Sequence, residues 1–298
     1  MLMSRCSWFS IVVLSLTILS ACQKDELVEA PPQEESLQPG EYRLTGKVIQ
    51  KVEERNRILV QHDEIEGFMP AMTMEFGVGS GDLSMVQPDM TIRAILYQNE
   101  EGFHLREIWP YQSDDVEVLE SVREDLEHDV ENRGLRVYRD IGEAAPPFAL
   151  YNQDGELAQP SSFAGQRMVI NFVFTRCPDA NMCPLSVSKM IELQRKAKEL
   201  AVSDLQLLSI SLDPEYDTPG ILKAYVDVRG IDTSNYQFLT GPLDQVELLL
   251  RQLGVSRFVD GSVINHSMNT LLIDASGKIA YLEEKSDWSP EAFLARLQ

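Results

Sequence analysis

Apolar and polar residues alternate in short runs between Tyr42 and about Trp109. Partial alternation over 43–52, an apolar centre at Ile58-Leu59-Val60, and further runs at 90–96 and 103–108 predict strands, with a turn at 99–102. About five short strands within roughly 70 residues predict a small closed all-β barrel. The pattern then changes. Over 113–130, Leu119, Val122, Leu126 and Val130 recur at spacings of three and four among acidic residues, which predicts an amphipathic helix capped by Ser113. From about Gly142, strand and helix patterns alternate. The unbroken apolar run 168–174 predicts a buried strand, followed by a helix over 184–200 and a strand over 205–212. Thr218-Pro219 reads as a cap and first helical residue, opening a helix to about Val228. A helix over 243–253 is ended by Gly254. The runs 268–273 and 279–282 flank a Ser276-Gly277 turn and predict a hairpin, and Ser289-Pro290 opens a last helix. This alternation predicts an α/β layer architecture about a central sheet.

Ahead of these patterns the chain is of another kind. Arg5 precedes an apolar run, 11–19, that is short for a membrane span and ends in Leu19-Ser20-Ala21-Cys22. Small residues before a cysteine resemble the lipobox of bacterial lipoproteins. The resemblance implies removal of residues 1–21 and acylation of Cys22. The chain is then expected in the cell envelope, held by lipid to a bacterial membrane and facing the periplasm or the exterior. Residues 22–41, rich in Glu, Pro and Gln, read as a flexible tether. The expected organisation is multidomain: signal at 1–21, tether at 22–41, barrel at 42–110, acidic helical linker at 111–141, and α/β domain at 142–298.

Charge and cysteine usage narrow the chemistry. A net charge of -21 at pH 7 argues against nucleic acid as a partner, because phosphate binding needs concentrated positive charge. Of the four cysteines, Cys6 leaves with the signal and Cys22 takes lipid, so Cys177 and Cys183 remain as thiols. A bridge over so short a loop removes little unfolded-state entropy. The pair therefore points to redox or metal chemistry rather than to a structural staple.

The densest chemistry in the first half runs from His62 to Met69-Pro70-Ala71-Met72-Thr73-Met74. On a strand, Met72 and Met74 share one face. Thioethers are soft, neutral ligands that select Cu(I), and an imidazole from His62 completes such a set. The competing use of methionine is as core filler. The segment resembles the periplasmic copper and silver chaperone of tripartite efflux systems, a small OB-like barrel, over about residues 43–108. The resemblance implies that His62, Met72 and Met74 ligate Cu(I). That family sets a tryptophan over the metal where this chain has Met69, beside Phe68, so either Met69 is a fourth ligand or the cap is lost.

In the second half, Cys177 follows the buried strand directly. Six residues on, Cys183 cannot share one face of a regular helix with it, which places Cys177 in a loop. Pro184 suits the first helical position and sets Cys183 near the N-cap, where amides and the helix dipole favour a thiolate. Such a thiolate either attacks a disulfide or binds a soft metal. His266, just before a predicted strand, would complete a three-coordinate copper site. The segments Pro146-Pro147-Phe148-Ala149-Leu150, Phe174-Thr175-Arg176-Cys177-Pro178, Cys183-Pro184, Asp213-Pro214-Glu215-Tyr216-Asp217-Thr218-Pro219 and His266-Ser267 resemble the Sco/SenC family. The resemblance implies a thioredoxin-like fold, with copper held by Cys177, Cys183 and His266. It also implies a part in assembling the dinuclear copper centre of cytochrome oxidase, although some members act as thiol reductants. Asp213 is expected to support the ligands from behind. The gap between the cysteines is wider than the family's common three-residue gap.

Three functions follow as expectations. The first is a copper metallochaperone serving a copper-enzyme client such as a cytochrome oxidase subunit, carrying Cu(I), with Cu(II) also open at the Cys/Cys/His site. The second is a membrane-tethered thiol–disulfide oxidoreductase in which Cys177 or Cys183 attacks and His266 relays a proton. The third is copper sequestration. Two copper sites on one chain raise the effective concentration for transfer between them. The sequence leaves open whether the acidic helix hinges the two sites together or holds them apart.

Overall fold

The computed structural model describes residues 37–134, 137–260, 263–285 and 287–297. The signal, Cys22 and most of the tether therefore lie outside the described residues. The alternating segments form a closed barrel of β1 (Tyr42–Val52), β2 (Arg57–His62), β3 (Met72–Gly77), β4 (Thr91–Asn99) and β5 (Gly102–Pro110), in the order β1-β2-β3-β5-β4. A register shift between Val48 and Gln50 bends β1, which pairs with β4 along its first half and with β2 along its second. The period-two pattern sends Ile58, Val60 and His62 of β2 inward, where they join Leu44, Phe76, Ile92 and Leu96 in the barrel core. A short helix that alternation did not predict, α1 (Ser80–Met85), follows β3.

The acidic segment is a helix, α2 (Ser113–Arg133), as its spacing predicts. Its N-cap is Gln112, and Ser113 is already helical, with its hydroxyl on Asp114. Leu126 is buried in the larger core. The helix is held to α5 (Leu243–Gln252) by two glutamines: the Gln245 side-chain amide donates to the Leu119 carbonyl at 3.0 Å and that of Gln252 to the Leu126 carbonyl at 3.1 Å.

The remaining strands are β6 (Leu150–Asn152), β7 (Leu157–Ala158), β8 (Arg167–Val173), β9 (Leu205–Ser211), β10 (Tyr236–Thr240), β13 (Thr270–Ile273) and β14 (Ile279–Glu283). They form one sheet in the order β14-β13-β8-β9-β10-β6-β7, with β8, β9 and β10 parallel. The apolar run of β8 lies inside it, between β13 and β9. The crossovers are α3 (Cys183–Glu199) and α4 (Pro219–Arg229), and α6 (Pro290–Leu297) closes the fold. Thr218 caps α4 as its sequence predicts, its hydroxyl accepting from the Ile221 amide. A separate two-stranded hairpin, β11 (Arg257–Asp260) and β12 (Val263–His266), was not predicted.

Barrel and sheet meet where α1 crosses α4. An ideal Cβ on Gly81 would fall 2.0 Å from the Gly220 carbonyl, and one on Gly220 would fall 2.0 Å from Asp82 Oδ1. Glycine at both positions lets the two backbones touch. The turn at Gly155 adds contact, since a Cβ there would lie 2.9 Å from Met85 Sδ and 3.2 Å from Pro110. Trp109 faces Tyr151, with ring centroids 6.3 Å apart.

Candidate copper centres

In the barrel, His62 lies opposite Met72 of β3 and Gly46 of β1. A Cβ on Gly46 would come 2.7 Å from the His62 Cα, so glycine there allows β1 to close against the histidine. His62 is 1% exposed. Its Nδ1 lies 2.7 Å from the Asp63 carbonyl oxygen. A carbonyl only accepts, so the neutral ring carries its hydrogen on Nδ1 and its lone pair on Nε2. Nε2 is sealed and has no hydrogen-bond partner. A buried acceptor without a donor is costly unless something else takes the lone pair.

Beside it opens a cleft of about 370 Å³ lined by Gly46, His62, Asp63, Ala71, Met72 and Thr73, among others. Met72 stands at the cleft, 45% exposed. The other two candidate thioethers are partly buried. Met74, opposite Val60, and Met69, whose backbone pairs with Ile65, both pack against the barrel core. The Phe68 ring stacks on Tyr42 at 4.0 Å and meets Phe103 at 5.9 Å.

In the second half, Phe174 is the hub. It follows β8, and its carbonyl accepts from the Cys177 amide at 3.3 Å. Its backbone hydrogen-bonds the Cys183 sulfur. Its ring meets His266 edge-on at 6.0 Å. Cys177 sits in the loop, half-buried, as its spacing predicts. Cys183 is the first residue of α3 and Pro184 the second, one position later than expected, with Met182 at the cap. Both thiols are free and they interact with each other.

The expected activated thiolate is not what this environment favours. Burial pushes the Cys183 thiol up to about 12, and the neighbouring Cys177 adds to the rise, against the bond from Phe174. Loss of water outweighs the helix terminus. His266 ends β12. Its Nδ1 lies 3.0 Å from the Ser267 carbonyl oxygen, and its Nε2 is sealed and unpartnered. Burial holds its basicity below that of an ordinary imidazole, so the ring is neutral near pH 7. Among the described residues, no three His, Cys, Asp or Glu side chains converge closely enough to hold an ion. The two sulfurs interact with each other, and His266 packs edge-on against the Phe174 ring.

The loop is held by two aspartates. Asp213, 2% exposed, takes both Nε and Nη2 of Arg176, the residue before Cys177, and the guanidinium covers the Tyr216 ring at 4.6 Å. Asp217 was not singled out from sequence. It is fully buried and accepts from the Thr175 amide at 3.1 Å, the Thr175 hydroxyl and the Ser211 hydroxyl. Burial pushes its carboxyl up to about 6 against those donors. Its signal in the sequence was the acid directly before the Thr218-Pro219 cap.

Comparison with known proteins decides the family. The SCO1/SenC pattern matches residues 138–298, more than half of the chain. The chain belongs to the SCO1/SenC family. A SCO2-like protein of Rickettsia felis is 31% identical over 149 residues, which is 48% of this chain and 71% of that one. The human mitochondrial SCO1 homolog is 38% identical over 139 residues, 44% of each chain. A SCO1/SenC family lipoprotein from Bacillus anthracis str. Ames aligns with 54% of this chain and 96% of its own, at 28% identity and a TM-score of 0.49. Residues 41–110 of this SCO1/SenC member match a second family, the copper binding periplasmic protein CusF. Its fold is accordingly a five-stranded barrel followed by a thioredoxin-like domain. No helix among its described residues is long and apolar enough to cross a membrane.

Proposed function

We propose that this chain is a copper metallochaperone of the bacterial cell envelope, anchored by lipid at Cys22, that serves a copper enzyme such as cytochrome c oxidase. It carries one Cu(I) in the barrel, on His62 and Met72, and a second copper on Cys177, Cys183 and His266. The observation that carries this reading is shared by the two halves. Each holds a histidine whose Nδ1 is spent on the next residue's carbonyl and whose Nε2 is sealed without a partner. Beside each stand soft sulfur donors. An imidazole lone pair with sulfur suits copper, and a hydrogen bond on the far nitrogen fixes the ring for a metal.

Binding at the cysteines displaces thiol protons, which the cation's charge makes possible despite burial. Asp213, acting through Arg176, and Asp217, acting through Thr175, keep the loop in place while His266 closes on the sulfurs. The CusF family description and the SCO1/SenC membership support copper as cargo.

A second reading, thiol–disulfide exchange on copper-ligand cysteines, has its own observation. Cys177 is partly accessible and Cys183 is buried beside it, a division between attacking and resolving thiols. Titration of the full chain in mild detergent with Cu(I) tests the two. Two tightly held coppers are expected, falling to one in Cys177→Ser/Cys183→Ser and to one in His62→Ala/Met72→Ala. An unchanged copper count in the cysteine variant, together with turnover of a disulfide substrate by wild type, would hand the function to the oxidoreductase.

A further inference from the structure

The two candidate centres sit on one chain, one in each half. His62 ends β2 and Met72 begins β3. From Met72, β3 runs to Gly77, roughly 17 Å of strand, before the chain turns into α1. It is α1 that crosses α4, with Gly81 on the Gly220 carbonyl and Asp82 against Gly220. Met85 and Pro110 complete the contact with the turn at Gly155. The cysteine loop lies close to this junction, because Asp217, three residues before Gly220, holds Thr175. From the cleft at His62, the contacts that lead to the cysteines run along β3, through α1 and across to the start of α4. The crossing is tightly packed, with the Gly220 carbonyl against Gly81 and the Asp82 side chain against Gly220, and close packing resists sliding. Copper exchange between ligand sets requires them to share the ion, which needs contact.

We propose that copper passes from the barrel of one chain to the cysteine loop of another copy, and not between the two sites of one chain. The proposal rests on the two-site reading above. Cu(I) leaves the His62 imidazole and the Met72 thioether, both neutral, and joins Cys177, Cys183 and His266. The two thiol protons go to solvent, and copper keeps its oxidation state. The direction follows from the donors, because two thiolates cancel the cation's charge and bind it more tightly than neutral ligands do. Every copy carries both the donor cleft and the acceptor loop.

The test uses full chains in detergent and the near-ultraviolet absorption of copper bound to thiolate. Cys177→Ser/Cys183→Ser chains loaded with Cu(I) in the barrel are mixed with copper-free His62→Ala/Met72→Ala chains. The band is expected to grow at a rate proportional to acceptor concentration. In a second arm, wild type is loaded in the barrel while Cys177 and Cys183 are held as a disulfide, then released with excess phosphine reductant. Its rate is expected to follow chain concentration over a hundredfold range. A wild-type rate independent of concentration, or no transfer in the mixed chains, overturns the proposal. If the cysteine variant takes up no copper at all, the two-site reading itself fails, and that outcome is separable from a loaded donor that does not transfer.

Discussion

The barrel site and the cysteine loop present a histidine in the same way and surround it with opposite chemistry. At His62 the sulfur donor is a thioether, which has no proton to lose. At His266 the donors are thiols, one of them buried until its proton is held to about 12. On the proposed reading, the barrel takes copper with little proton traffic, while the loop exchanges protons for the ion. The comparison teaches that the polar half of each site is a common device, and that the sulfur type sets its coupling to pH.

The sharpest way to break the comparison is pH. Between pH 8 and pH 6, copper affinity at the loop is expected to fall about 100-fold for each thiol proton displaced, measured by competition with a Cu(I) chelator. Burial lowers the basicity of His266, so its ring adds less to this slope than the thiols do. The barrel, whose sulfur donor carries no proton, is expected to change much less. Equal slopes at both sites would remove the distinction.

The junction between the halves comes next. Gly220→Ala places a Cβ within 2.0 Å of Asp82 Oδ1 and 2.9 Å of the Asp82 Cα. It is expected to cost about 1–3 kcal/mol, read by denaturant unfolding, with faster amide exchange in α1 and α4. Asp82→Asn should act with pH. Burial pushes the Asp82 carboxyl up to about 7, opposed by the Gly79 backbone, and Oδ1 has no partner. The folded chain then holds this proton more tightly than the unfolded one. The stability this gives is complete below about pH 4 and is lost as pH rises through about 7. The variant is expected to exceed wild type by roughly 2 kcal/mol at pH 8 and to match it near pH 4. A parallel pair of stability–pH curves would show that Asp82 does not titrate at the junction.

The smallest expected effect sharpens the barrel site. Met69→Leu keeps volume on the barrel core, so stability should move by less than about 1.5 kcal/mol. Copper affinity in the barrel should shift by less than about twofold, because Met69 packs inward and the cleft is made by others. A tenfold loss would return Met69 to the ligand set.

Periodicity carried the fold far. The apolar run of β8, the Thr218-Pro219 opening of α4, and the Ser276-Gly277 turn between β13 and β14 each read out directly, because each rests on local backbone chemistry. Three things did not. Met72 and Met74 share a strand face, but Met72 lines the cleft while Met74 is partly buried against the core, a difference in burial that spacing does not contain. The state of Cys183 depended on burial, which the helix-start signal does not contain. The Gly81–Gly220 crossing joins residues far apart in sequence, and two ordinary glycines give no sign of each other.

The unequal burial of the two thiols also orders their reactions. A bulky alkylating reagent near neutral pH meets Cys177 first, while Cys183 is shielded within the packed start of α3. Modification should then proceed in two well-separated phases, and a label can be placed on Cys177 alone. The chain thus carries a built-in attachment point at the cysteine loop, and blocking it would show whether the Cys177 sulfur is needed for copper uptake without any engineered cysteine.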